Sequence, residues 1–198
     1  MHASRDRKDN LRRPQPTKSK RIRQQSLVRP AAGQPPEGFR VGIGTDLHRL
    51  ERGRRLVLGG VLIPFERGPV GHSDGDALAH AICDALLGAA GLGDIGHHFP
   101  DSSPRWRNVS SLFFLHEVSR LVRSARSRIV NVDSTITLER PKLAPFIPKM
   151  RKKVAEALSL ETGQVSIKAK TGEGLGALGR GEAMRADAIA LIGPLLKF

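Results

Sequence analysis

Asp46, Leu47 and His48 set a carboxylate and an imidazole two residues apart in a segment where apolar and other residues alternate. In an extended chain, residues i and i+2 point to the same side, so both groups can converge on one point. A carboxylate oxygen and an imidazole nitrogen are ordinary zinc ligands. Taken alone, the pair equally describes a turn aspartate beside a surface histidine. His80 supplies a third candidate ligand, one helical turn beyond Asp76, with Asp84 a further turn along the same stripe. Two histidines and one aspartate with an open fourth position form a catalytic zinc pattern rather than a closed structural one. Asp84 or a backbone carbonyl could orient an imidazole from behind. By itself, His80 reads equally as a hydrogen-bonded helix histidine.

Three further segments carry polar groups suited to phosphate or substrate. Gly71, His72, Ser73, Asp74, Gly75 and Asp76 lead into a helix, whose N-terminus presents free N–H groups and a positive dipole end. His72 and Ser73 stand where they could donate to an anion there; an ordinary capping loop is the alternative. Residues 93–101 bring together Asp94, Ile95, Gly96, His97, His98, Phe99, Pro100 and Asp101 after a helix end, as a candidate substrate loop. Neighbouring side chains diverge, which argues against a joint His97/His98 metal site. Residues 168–180 flank glycines with Lys170, Thr171, Glu173 and Arg180, so that backbone could approach a diphosphate. The order of a P-loop is absent.

The elements that must position these groups follow from periodicity. A strand is expected over 39–45, ending near Asp46, and a short hairpin over 55–58 and 61–63. Helical spacing predicts helices over 76–90, 110–126 and 145–158, the first preceded by N-capping residue types and the third by a proline near its start. Strands are expected over 130–138 and 165–171, a glycine-rich loop over 172–181 and a closing helix over 182–196. No internal repeat is seen. Strands alternating with helices predict a two-layer α/β sandwich or α+β domain.

Composition narrows the function classes. The 198 residues carry 33 Lys/Arg against 19 Asp/Glu, a formal charge of +14. Half of that excess lies in residues 1–38, which hold ten basic and three acidic side chains, five of the 13 prolines and almost no large apolar residues. Such a segment cannot bury enough surface to offset its ordering entropy, so 1–38 is expected to be a disordered basic extension to a domain over 39–198. Nonspecific attraction to nucleic acid is one use for it; a solvated extension, or a start codon set too far upstream, is the plainer one. No apolar run is long enough for a bilayer span, so no membrane partner is expected. The lone Cys83 makes no internal disulfide, which suits a reducing, cytoplasmic compartment. Aromatics at 4% argue against a single-strand binder built on stacking platforms.

Taken together, the motifs resemble one family, the 2-C-methyl-D-erythritol 2,4-cyclodiphosphate synthases. The pieces are GTDLH (44–48), HSDGDALAH (72–80), DALLGAA (84–90), GDIG (93–96), FPD (99–101), NVD (131–133), PK (141–142) and GRGE (179–182), in order, with the likeness running from about 40 to 196. The resemblance implies that a 2-phosphate oxygen attacks the β-phosphorus of a cytidine diphosphate substrate, closing a cyclic diphosphate and expelling CMP. It implies Zn²⁺ on Asp46, His48 and His80, and Mg²⁺ or Mn²⁺ on Glu173. His72 and Thr171 then stabilise the transition state. Ser73, Asp94, Ile95, Gly96, Phe99, Pro100, Asp101 and Arg180 fall among the substrate contacts, and Lys142, Ala169 and Lys170 match the cytidine pocket. It further implies a homotrimer with active sites between subunits and the mixed sheet of each subunit, packed on its helices, facing the threefold axis. Thr45 and Ala177 stand where many members carry aromatics. From other classes, a basic nucleic-acid-binding protein rests on the charge alone. A zinc-dependent phosphohydrolase fits the ligand types, but no carboxylate is evidently set up as its general base.

Overall fold

The computed structural model describes residues 38–195 apart from His72 and Asn108. The expected disorder of the basic extension, and the placement of His72, lie outside the described residues. The described chain is an α+β domain. Its strands are β1 (Arg40–Arg52), β2 (Leu56–Leu58), β3 (Val61–Ile63), β4 (Arg67–Pro69), β5 (Ser127–Thr137), β6 (Val165–Lys170) and β7 (Ala183–Pro194). The helices are α1 (Ala77–Ala90), α2 (Ile95–His98), α3 (Ser111–Ser124), α4 (Ile147–Leu158) and α5 (Gly176–Gly179). Five strands form one mixed sheet in the order β4-β1-β7-β5-β6, and β2-β3 form a separate hairpin. Only β5 and β6 run parallel.

The largest departure from the sequence reading is the last element. Residues 182–196 were expected to close the domain as a helix, because alanine is the best helix former; residues 183–194 instead form β7, the central strand. The reason is its period of two: Met184, Ala186, Ala188, Ala190 and Ile192 are all buried, with more exposed residues between them. Burial on one face, together with hydrogen bonds to β1 and β5 on both edges, outweighs intrinsic propensity. The small alanines leave room for α1 to lie against the sheet. Two smaller departures are β1, which runs on to Arg52, and the short β4 and α2, which the sequence reading left as loop.

Two glycines set how close α1 comes. Gly42 and Gly44 share the covered face of β1 with Asp46 and His48. A Cβ at Gly44 would lie 2.0 Å from the Ala81 carbonyl oxygen and 2.6 Å from the Ala85 nitrogen, and one at Gly42 would lie 2.0 Å from the Ala85 carbonyl oxygen. Helix backbone thus rests directly on strand backbone, which is what brings His80 of α1 beside β1. Along α1, Leu78, Ile82 and Leu86 are fully buried, each contributing about 1.5–3 kcal/mol of apolar burial. Asp76 caps the helix by accepting from Ala79 N at 3.1 Å, and ties in the β2-β3 turn by accepting from Gly59 N at 3.0 Å and Gly60 N at 2.7 Å. Burial, helped by the neighbouring Asp74 carboxylate, pushes Asp76 up to about 6 against the pull of those three N–H groups. Because the obstacle at Gly44 is backbone, Gly44→Ala is expected to destabilise the fold by at least about 3 kcal/mol, the upper end of ordinary overpacking. Urea unfolding with an unchanged midpoint would contradict this contact.

The opposite face of the sheet has no covering layer among the described residues. Val41, Ile43, Leu47 and Ile189 on β1 and β7 are each more than half exposed there. Beside them Thr45 Oγ1 donates to Asp187 Oδ1 at 2.9 Å, and Arg185 pairs with the same carboxylate.

Candidate active site

The alternation of β1 turns Asp46 and His48 to the covered side, as their spacing requires, and α1 delivers His80 to the same point. Asp46 Oδ1 lies 3.1 Å from His48 Nδ1, and Asp46 Oδ2 lies 3.0 Å from His80 Nδ1. One ligand atom from each of the three residues lies within 4.8 Å of the others. His48 Nδ1 is buried and makes no hydrogen bond, being close to the carboxylate but poorly aligned with it. A buried nitrogen left unsatisfied beside a carboxylate fits a divalent cation with one oxygen and two nitrogen ligands. Burial alone would raise the Asp46 carboxyl, but contacts with His48 and His80 outweigh it and hold the group well below the usual range. For His80, burial works against the charged form, while Asp46, Asp76 and Asp74 together raise it above an ordinary histidine.

A second layer backs the triad, and the sequence reading missed most of it. His80 Nε2 lies 2.9 Å from Ser111 Oγ and 3.1 Å from Ser73 Oγ. Ser111 in turn donates to Asp74 Oδ1 at 2.5 Å. Asp84, which was expected to orient an imidazole, does something else: its Oδ1 accepts the Ile95 N–H at 2.7 Å. That bond fastens the 92–101 loop over the triad. The loop is closed further by His98 Nε2, which donates to the Leu92 carbonyl at 2.8 Å, and by Asp94, which caps α2 at His97 N, 2.8 Å away. His98 is buried and His97 exposed; the two rings were expected to diverge but meet edge to face, 5.2 Å between centroids.

A cavity of about 280 Å³ opens beside the triad, lined among others by Ser73, Ile95, Gly96, Phe99 and Asp101. Asp94 and Pro100 lie exposed on the same loop and do not line it. Trp106 and Phe114 form an apolar wall with Phe99, the Phe99–Phe114 rings being 4.8 Å apart and the Phe99–Trp106 rings 5.3 Å apart. A second, more open cavity of about 510 Å³ shares Gly71 and Ser73 with the first and is lined by Arg54 and Arg55.

The other half of the expected site lies elsewhere in the chain. Lys142, Ala169, Lys170, Thr171, Glu173 and Arg180 line neither cavity. Register explains the separation: His48 pairs with Met184 of β7, Arg185 with Thr137 of β5, and Thr137 with Lys170 of β6. His48 and Lys170 thus stand at the same end of the sheet but three strand spacings apart, about 14 Å at ~4.8 Å each, while the 171–181 loop leads back to β7, where the Leu50 N–H donates to the Glu182 carbonyl at 2.8 Å. Within the second half, Thr171 Oγ1 donates to Glu173 Oε1, Gly172 N donates to Glu139 Oε2 at 3.0 Å, and Arg180 pairs with Glu182 at 2.9 Å. Glu173 sits in the left-handed region at φ 51° and is exposed.

Three residues placed so that they could hold a metal ion, on a mixed α+β sheet beside a polar cleft with one apolar wall, define an enzyme domain with a candidate metal site. The chain belongs to the YgbB family, whose pattern matches residues 39–193. It is 56% identical over 154 residues to the 2-C-methyl-D-erythritol 2,4-cyclodiphosphate synthase of Syntrophomonas wolfei, covering 78% of this chain and 98% of that one. The synthase of the same name from Gloeobacter violaceus is also 56% identical over 154 residues, with 94% of its length covered. Among solved structures, a CDP-bound form of such a synthase superposes with a TM-score of 0.72 at 44% identity, over 77% of this chain and 99% of that one. The CDP complex of the Plasmodium falciparum protein gives 0.71 at 33% identity, over 81% and 99%. The fold expected from the sequence is thereby met.

Proposed function

We propose that the chain converts 4-diphosphocytidyl-2-C-methyl-D-erythritol 2-phosphate into 2-C-methyl-D-erythritol 2,4-cyclodiphosphate and CMP, a step in making isoprenoid precursors. The observation that carries this reading is the Asp46–His48–His80 cluster beside its cleft, in a chain more than half identical to synthases of that name. A 2-phosphate oxygen attacks the β-phosphorus, a P–O bond forms, and the bond between that phosphorus and the bridging oxygen breaks, so the electron pair leaves with CMP. Such a transfer needs little beyond positioning and charge stabilisation. Asp46, His48 and His80 would hold Zn²⁺ and Glu173 would hold Mg²⁺ or Mn²⁺, each supplying positive charge to neutralise the phosphates.

The chain's own groups divide the remaining work. His72 and Thr171 donate to oxygens that gain charge, and Ser73 and Arg180 assist at the phosphates. Asp94, Ile95, Gly96, Phe99, Pro100 and Asp101 hold the methylerythritol, with Asp84 and His98 fixing that loop. Lys142, Ala169 and Lys170 receive the cytidine. Because Lys142, Ala169, Lys170, Thr171, Glu173 and Arg180 line neither cavity within one chain, we assign the second half of each site to a neighbouring subunit of a homotrimer. The uncovered apolar face of β1 and β7 gives that assembly a surface to bury. A cytoplasmic location accords with the single buried Cys83, and no helix among the described residues is long and apolar enough to cross a membrane.

Two measurements check this reading. Purified protein supplied with the cytidine substrate and a divalent metal should release CMP in step with substrate loss, and metal-dependent substrate loss without CMP would contradict it. Deleting residues 1–38 should leave a particle of three chains by light scattering and a kcat within about tenfold, equivalent to about 1.4 kcal/mol of barrier. A larger loss would show that the basic extension reaches the site.

A further inference from the structure

We infer that Asp74 and Ser111 are positioning residues for the metal site: a chain from the Asp74 carboxylate through the Ser111 hydroxyl to His80 Nε2 fixes the imidazole in the tautomer that turns an Nδ1 lone pair toward Asp46 and His48. The inference rests on the metal-ligating reading of the triad and extends it by one layer.

Donor and acceptor assignments carry the argument. Both oxygens of Asp74 already act as acceptors: Oδ2 takes the Ser111 N–H at 3.0 Å and Oδ1 takes the Asp76 N–H at 3.3 Å. The one hydroxyl hydrogen of Ser111, a fully buried residue, therefore goes to Asp74 Oδ1, 2.5 Å away. Its lone pairs face His80 Nε2 at 2.9 Å, so Nε2 must carry the hydrogen. A histidine that ligates a metal is a neutral imidazole with one N–H, so a hydrogen on Nε2 leaves Nδ1, 3.0 Å from Asp46 Oδ2, as the ligating atom. Ser73 Oγ, 3.1 Å from the same Nε2, is the weaker acceptor, since it lies farther away and is less buried. Asp74 also caps α3 from 37 residues away through the Ser111 N–H, so helix, hydroxyl and imidazole are held as one unit. Partners of this kind behind a ligating histidine fix its orientation, and losing one weakens metal binding by about 10–100-fold.

The test is a zinc titration against a chromophoric chelator, comparing the full chain with its Ser111→Ala variant. Affinity should fall about 10–100-fold in the variant, while the thermal midpoint of the metal-free variant stays near that of the unsubstituted chain. Equal affinity would overturn the relay and leave the triad standing; no zinc bound by either protein would overturn both. Imidazole ¹H–¹⁵N correlation spectra of the unsubstituted zinc-loaded chain give an answer that needs no variant. The relay requires His80 to keep its hydrogen on Nε2 and bind zinc through Nδ1; a hydrogen on Nδ1, with zinc on Nε2, would overturn it.

Discussion

Replacing His80 by Ala leaves a folded protein that holds no metal at the triad and forms no cyclic product. His80 is the ligand that joins two elements: it comes from α1, whereas Asp46 and His48 share β1. Without it, two donors remain, one fewer than the three protein ligands of catalytic zinc sites. The loss of affinity should exceed the about 10–100-fold that follows removal of an outer hydrogen-bond partner. The fold should survive, because α1 is anchored by Leu78, Ile82 and Leu86 and by the close approach over Gly42 and Gly44. Elemental analysis of the dialysed variant checks the point. Full zinc content would mean that the ion sits elsewhere.

Thr171→Val should lower kcat by about 10²–10³-fold with little change in KM, the usual size of effect for one preorganised donor removed from a developing charge. Valine matches threonine in shape, so the loop keeps its packing while the hydroxyl is lost. That hydroxyl now rests against the Glu173 carboxylate, and the pair is exposed. If Glu173 held a divalent ion, the same hydroxyl would be free to donate to phosphate. An interaction made chiefly in the transition state moves kcat and leaves KM. If Thr171 only stiffened the loop, KM would rise while kcat held, and steady-state kinetics on this one variant separates the two roles.

The triad was legible because both of its signals are periodic. Asp46 and His48 follow the period of a strand, His80 follows that of a helix, and the structure joins them through a glycine-lined contact. The loop at 93–101 was legible as a polar segment following a helix end, although not how Asp84 and His98 hold it, since those bonds link groups with no shared local pattern. Ser111 was invisible for a related reason. A serine at the start of a helix reads as a cap, and its partners Asp74 and His80 lie 37 and 31 residues away. The last strand was misread because alanine at every second position satisfies helix propensity as well as strand alternation, and only the sheet on both sides of β7 decides between them. The distance of Lys170 from His48 is a property of strand order, which no local pattern carries.

The central claim is that the transferred phosphoryl group goes to an oxygen of the same substrate molecule and not to water. It is tested most directly by running the reaction in ¹⁸O-labelled water and reading the products by ³¹P NMR and mass spectrometry. The account predicts a cyclic diphosphate and CMP, neither carrying ¹⁸O. An open-chain phosphate product with one ¹⁸O per turnover would contradict it and make the protein a hydrolase.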